Sequence, residues 1–271
     1  MSKGPSEVLE RASGKLLVDE PGGGVVRVRI SNPDKRGALD HEILDTLTEL
    51  LGELDARCVL ITGDGPVFSA GYDIGNFSPE QFAEAAERLV AHPFTEAMNA
   101  IEAYRYPVVA AINGHAIGGG LELAVTCDLR LAARGARLGM PPAKIGLIYG
   151  HTGLRRFIDV CGVANTNELF LVGRNVDADR AYEKGLENRM VEPEELEEES
   201  LSVAREIAGN SPLSLEGNKR IVRTLREFEG ELPPDVEREL VELRESCFRT
   251  EDFREGISAF GQKRQPRWKG R

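Results

Sequence analysis

Cysteine is scarce in this chain and never paired at short range. Cys58, Cys127, Cys161 and Cys247 lie far apart with no C-x-x-C spacing. Neither a disulfide framework nor a thiolate zinc site is expected, and each thiol reads as a small apolar core residue. Long hydrophobic runs are missing too. None approaches the roughly 20 residues that span a bilayer, and Met1–Glu7 holds no apolar signal core. The expectations are no membrane contact and residence in the cytoplasm. Positive charge is in deficit: 34 Lys and Arg stand against 45 Asp and Glu, a formal charge of −11. Nucleic acid is therefore not expected as a partner, since phosphate backbones need basic clusters. A local basic patch for a phosphorylated small molecule is still allowed. No His, Cys and acidic cluster has metal-ligand spacing, so no metal is expected.

What remains is the composition of a soluble globular protein, 41% hydrophobic and 29% charged over 271 residues. That length suits one large domain or a domain with an appendage. Residues 1–13 read as a short mobile lead. Lys15–Asp19 and Val25–Ile30 read as strands across the turn 20–24, with Val26, Val28 and Ile30 on one covered face. Asp40 caps a helix whose apolar positions are Ile43, Leu44, Leu47, Leu50, Leu51 and Leu54. Cys58–Thr62 is a buried strand. Ser78-Pro-Glu-Gln81 opens a helical stretch to about residue 91. A further helix ends near Glu102, before a strand at 107–112. A helix at 119–126, a strand at 128–133 and a short piece near Leu138 follow. Helices are then expected at about 152–160, 164–171, 177–184, 194–209, 212–228, 234–248 and 250–260. Strands interleaved with helices, then helices alone, indicate an α/β core with a helical C-terminal part.

Two stretches carry chemistry. In Asn113-Gly-His-Ala-Ile-Gly-Gly-Gly-Leu-Glu122, a glycine-rich turn joins a buried strand to a helix start. Consecutive glycines let backbone approach a ligand closely. The first N–H groups of a helix have no internal partner and sit at its positive end, so an oxyanion fits there. Glu122 lies three residues after Gly119, on the same face. In the second stretch, Gly63-Asp-Gly-Pro66 is turn chemistry and Val67-Phe-Ser-Ala-Gly-Tyr-Asp-Ile74 follows it. Gly71 permits a sharp turn that leaves the Tyr72 N–H available, so two loops could supply two convergent donors.

Together these stretches resemble the enoyl-CoA hydratase/isomerase (crotonase) superfamily. Cys127-Asp128, Ala181-Tyr-Glu-Lys-Gly-Leu186, Glu255-Gly-Ile-Ser-Ala-Phe260 and Lys263-Arg264 add to the resemblance, which runs from about Leu16 to the C-terminus. It implies an α/β fold, a crotonase-like spiral of β-β-α units over residues 14–195, followed by a C-terminal helical trimerisation region over 196–271. It also implies homotrimers, often paired as hexamers. The substrate would be an acyl-CoA thioester, with coenzyme A as part of the substrate and no tightly bound cofactor.

By motif position the catalytic donors would be the Tyr72 and Gly119 N–H groups, with Glu122 as acid/base. Lys35 and Arg36 would meet CoA phosphates. Ala70, Asp73 and Ile74 would line the CoA side of the loop, and Phe260 with Lys263 would act from a neighbouring subunit. Asp73 is also expected to order its own loop.

One departure matters. Hydratases of this family carry a second glutamate twenty residues after the first, and position 142 is proline. Pro142 followed by Ile145-Gly-Leu-Ile-Tyr149 resembles instead the methylmalonyl-CoA decarboxylase type, which has a tyrosine at the position of Tyr149 but a histidine where Tyr72 stands. His115 is expected to order its loop, and His151 is a weaker proton-transfer candidate. The readings carried forward are an acyl-CoA lyase forming a thioester enolate and decarboxylating a short malonyl-type CoA, a hydratase or isomerase using Glu122 alone, and a non-catalytic acyl-CoA-binding protein.

Overall fold

The computed structural model of the protein describes residues 7–73, 93–210, 212–230, 234, 238, 242, 245, 248–264 and 267. The strands are β1 (Leu9–Arg11), β2 (Leu16–Gly22), β3 (Val25–Ile30), β4 (Cys58–Gly63), β5 (Val67–Ser69), β6 (Val108–Ile112), β7 (His115–Ile117), β8 (Leu129–Ala133), β9 (Arg137–Gly139), β10 (Val176–Asp177) and β11 (Arg189–Val191). The helices are α1 (His41–Glu53), α2 (Thr95–Ala103), α3 (Gly119–Thr126), α4 (His151–Asn167), α5 (Ala178–Glu183), α6 (Leu196–Gly209), α7 (Pro212–Gly230) and α8 (Glu251–Gly261).

One sheet runs β1-β2-β3-β4-β6-β8-β11 and a smaller one runs β10-β9-β7-β5. From β3 to β11 the large sheet is parallel. Parallel strands are covered on both faces, which is why β4 and β6 read as unbroken apolar runs. The period of two sorts their side chains between two cores. Val59, Ile61, Val108, Ala110 and Ile112 join the main core with α1 and α2. Cys58, Leu60, Val109, Ala111, Leu131 and Ala133 meet Leu196, Leu201, Ala204 and Ala208 of α6. After β4, β6 and β8 the chain turns sharply into β5, β7 and β9, so each circuit adds a strand to both sheets. Asn113 locks two such turns together. Its Oδ1 accepts from Gly63 N at 2.9 Å and its Nδ2 donates to Gly65 O at 2.6 Å.

The capping reading of Asp40 holds, since its side chain accepts from Ile43 N at 3.0 Å. The expected helix break between 160 and 164 appears at Gly162, whose φ of 76° and ψ of 165° are not helical. Two expectations are corrected. The supposed mobile lead contains β1, which pairs antiparallel with β2. All three of its residues are exposed, so backbone pairing holds it and no burial pattern marks it. The segment around His115, read as turn, is strand β7, whose parallel partners β5 and β9 come from the preceding and following circuits, tens of residues away in the chain. β10 and β11 are too short to show periodicity. The helix read at about 79–91 and most of that at 234–248 lie outside the described residues. Among the described residues no helix is long and apolar enough to cross a membrane, and no acidic, His or Cys group could hold a metal.

Glu187, just before β11, is a buried carboxyl whose two oxygens have no hydrogen-bond partner among the described residues. The nearby Arg130 guanidinium is spent on Leu186 O at 2.7 Å and Cys127 O at 2.6 Å. Burial pushes Glu187 up to about 8, against the pull of Arg130. A raised folded-state value means that the stability is fully present at acidic pH and lost as pH rises through about 8. Between pH 6 and pH 9 the protein should lose on the order of 3 kcal/mol in urea unfolding. Glu187→Gln should remove most of that loss; an equal loss in the variant would contradict the assignment.

Candidate active site

The second chemical stretch is stitched to the loop before α1. Ser69 Oγ donates to Gly37 O at 2.7 Å, Ala70 N to Arg36 O at 3.0 Å, Leu39 N to Gly71 O at 2.7 Å and Asp73 N to Leu39 O at 2.9 Å. Leu39 and Tyr72 thus form a parallel bridge whose two bonds use Gly71 O and Asp73 N. In that pattern the central residue turns its own N–H away from the partner strand. The Tyr72 N–H therefore points away from Leu39. Gly71 has a φ of +91°, and a Cβ on it would stand 2.6 Å from Ile117 O and 3.0 Å from Gly119 N. No residue with a side chain would let the two loops meet this closely. The Tyr72 ring covers Gly119, where a Cβ would meet its Cε1 and Cζ at 3.1 Å. Gly119 opens α3, so its N–H has no partner within the helix.

One turn along α3, the Glu122 side chain is buried. Its Oε2 accepts the Tyr149 hydroxyl, and its Oε1 accepts Arg156 Nη1 at 3.1 Å. Burial raises the Glu122 carboxyl above the usual range, and the Arg156 charge with both donated bonds pulls it back. The Tyr149 phenol is held well above its ordinary value, chiefly by burial and then by the Glu122 charge. It also shares a hydrogen bond with Tyr72, and its ring packs edge-on against Phe170 at 5.3 Å. This cluster is possible because Gly153 has no side chain. A Cβ there would lie 2.5 Å from Tyr149 Cε1 and 2.9 Å from Glu122 Oε1.

Tyr72, Gly119, Glu122 and Tyr149 are thus brought together. Of the residues expected on the CoA side, Ala70 lies in the loop between Arg36 and Gly71. Lys35 Nζ reaches Asp73 Oδ2 at 2.5 Å, so Asp73 ties its loop to the early loop and holds the lysine. Arg36 is exposed, with a left-handed φ of 55°. Phe260 and Lys263 stand exposed at the end of α8, which docks against the short 3-10 turn Pro142–Ile145. Ile74 lies outside the described residues. His115 Nδ1 accepts from Arg137 N at 3.2 Å, a bond between strands β7 and β9 where a turn residue was expected. His151 opens α4. Cys58, Cys127 and Cys161 are buried free thiols, and burial pushes the first two up to about 12, far from nucleophilic thiolates. Cys247 lies outside the described residues.

Arg156 escaped the sequence reading. It is buried, and it also meets the Glu102 carboxylate and Asn99 Oδ1. A signal was there: Gly153, Arg156, Phe157 and Cys161 share one helical face, and an arginine on a buried face demands an acidic partner.

A sequence model of the enoyl-CoA hydratase/isomerase family matches residues 20–271. The chain belongs to that family. As a member, it is 35% identical over 245 residues to a probable enoyl-CoA hydratase of Mycobacterium leprae, covering 89% of this chain and 93% of that protein. It is 31% identical over 254 residues to a short-chain-enoyl-CoA hydratase of Clostridium acetobutylicum, covering 92% and 95%. Among solved structures, a methylmalonyl-CoA decarboxylase superposes with a TM-score of 0.84 at 25% identity, with both chains covered completely. An enoyl-CoA hydratase of Bacillus anthracis gives 0.71 at 30% identity, covering 95% of this chain and all of its own. The fold of this family member is therefore the crotonase fold.

Gly153→Ala tests the packing at the cluster. The added methyl should force Tyr149 and Glu122 apart and destabilise the protein by about 1–3 kcal/mol in urea unfolding. An unchanged midpoint would contradict the contacts described.

Proposed function

We propose that the protein is an acyl-CoA lyase that polarises a thioester carbonyl between the Tyr72 and Gly119 N–H groups. Negative charge developing on the carbonyl oxygen would be caught there, in an arrangement where one lost donor typically costs about 2.7–4 kcal/mol of barrier. Glu122 is the acid/base and Tyr149 its hydrogen-bonded partner. Lys35 and Arg36, with Phe260 and Lys263 of a neighbouring subunit, would receive the CoA portion. Exposed Ile221 and Val222 on α7 offer apolar surface for the trimer or hexamer that this requires, with 196–271 as the assembly region.

The observation that carries the choice of reaction is the lack of a carboxylate at position 142. Twenty residues past Glu122 stands buried Pro142, which can neither take nor give a proton. Hydration asks for activation of water and for delivery of a proton to the α-carbon. Decarboxylation asks for less. The bond to the departing carboxylate breaks, its electron pair enters the thioester as an enolate, carbon dioxide leaves, and one proton returns to the α-carbon. Glu122, lifted by burial, or Tyr149 acting with it, can return that proton. Decarboxylation of a short malonyl-type CoA is therefore our first reading. The second is hydration with Glu122 both taking the proton of water and delivering it; the hydratase names of the curated relatives favour it.

Separate incubation with methylmalonyl-CoA and with crotonyl-CoA, followed by mass, distinguishes the two. Propionyl-CoA from the first is the expected result. Hydroxyacyl-CoA from the second, without propionyl-CoA, would overturn the first reading in favour of hydration. Binding without turnover of either would favour a non-catalytic acyl-CoA-binding role. Tyr149→Phe should lower kcat for the productive substrate by about 100-fold and leave acyl-CoA binding nearly unchanged. Equal loss of both would show folding damage instead.

A further inference from the structure

Arg156 distributes its donors unequally. Nε and Nη2 grip the two oxygens of Glu102 at 3.2 and 3.1 Å, and Nη2 also reaches Asn99 Oδ1 at 3.3 Å. Only Nη1 is left for Glu122 Oε1. A forked grip on one carboxylate fixes the plane of a guanidinium. Glu102, on α2, therefore dictates where Arg156 presents its remaining nitrogen, and it reaches Glu122 through that guanidinium and through its charge. Glu102 is held in turn by Arg226 of α7 at 3.7 Å, and Arg226 pairs with Asp159 at 3.1 Å. Groups from four elements thus converge on one ladder that ends at the candidate carboxylate.

We propose that Arg156, clamped by Glu102, is the positioning residue of this site: it pins Glu122 Oε1 and leaves Oε2 to Tyr149 and the substrate. The inference rests on the acid/base role given to Glu122. The charged and titratable groups around that carboxylate are Arg156 from α4, Glu102 from α2 beyond it, Tyr149 from the preceding loop and Tyr72 through Tyr149. Removing the cation and removing the distant anion should act in opposite directions. Without Arg156, Glu122 loses its nearest positive charge. Without the Glu102 charge, it loses a like charge, and the guanidinium turns wholly toward it.

The test uses the full-length protein labelled with carbon-13 glutamate. Its infrared carboxyl band, absent in Glu122→Gln, reports the titration of Glu122 without any substrate. Arg156→Gln should shift that titration to higher pH by about one unit or more and lower kcat by about 100-fold. Glu102→Gln should shift it to lower pH. Arg156→Lys keeps the charge but cannot span both carboxylates. Its titration should stay near that of the unaltered protein, while kcat still falls and KM changes less than about twofold. Should Arg156→Gln fail to fold, the other two variants decide the matter. A titration unmoved in Glu102→Gln, together with unchanged kcat in Arg156→Lys, would overturn the proposal. A titration that moves as stated while turnover stays constant would overturn the acid/base role of Glu122 rather than the clamp.

Discussion

A single buried carboxylate organises this protein's candidate active site. Glu122 sits where water cannot solvate it, so ionising it there is costly unless the surrounding groups return what hydration supplied. They do so from two sides, with the Tyr149 hydroxyl on Oε2 and Arg156 on Oε1. Tyr149 comes from the loop before α4 and Arg156 from α4 itself, and the close approach of Tyr149 to Glu122 depends on the missing side chain of Gly153. Burial keeps the group protonatable, and the two donors keep it oriented. A fixed direction and a proton that can be both held and released are what an acid/base needs.

The fold supplies the setting. Successive circuits of the spiral end in turns that stack on one another, and two of these carry the Ser69–Asp73 segment and the Gly118–Gly120 segment. The Leu39 bridge fixes the first loop through backbone bonds alone, and α3 fixes the second. The amides proposed to receive the thioester oxygen therefore belong to the scaffold and not to mobile side chains. Such donors need little reorganisation as charge develops. One backbone cradle of this kind serves hydration, isomerisation and decarboxylation alike. In the reading proposed, the choice among them falls to the side chains beyond it, Glu122, Tyr149 and Tyr72, with proline at position 142.

Much of this was legible in the sequence because the signals were local. The Asp40 cap, the apolar stripe of α1, the unbroken runs of β4 and β6 and the glycines before Glu122 each declare themselves within a few residues. The break at Gly162 was legible for the same reason. The failures share the opposite property. β1 and β7 are three-residue strands held by backbone bonds, β1 with all its residues exposed and β7 with partners tens of residues away, so neither shows a readable side-chain pattern. The Lys35–Asp73 pair spans two loops, and the Arg156–Glu102 grip joins α4 to α2. Charged side chains in a sequence carry no label for the partner they will meet. Only the placement of Arg156 on an otherwise buried helix face hinted at one.

Exchange of an α-proton tests the central claim most directly, because it requires the enolate and nothing after it. Propionyl-CoA incubated with the protein in deuterium oxide should gain deuterium at the α-carbon, and Glu122→Gln should abolish the gain while the protein still binds the thioester. Exchange that proceeds equally well in the folded variant, or that is absent from the unaltered protein with the thioester bound, would contradict the account.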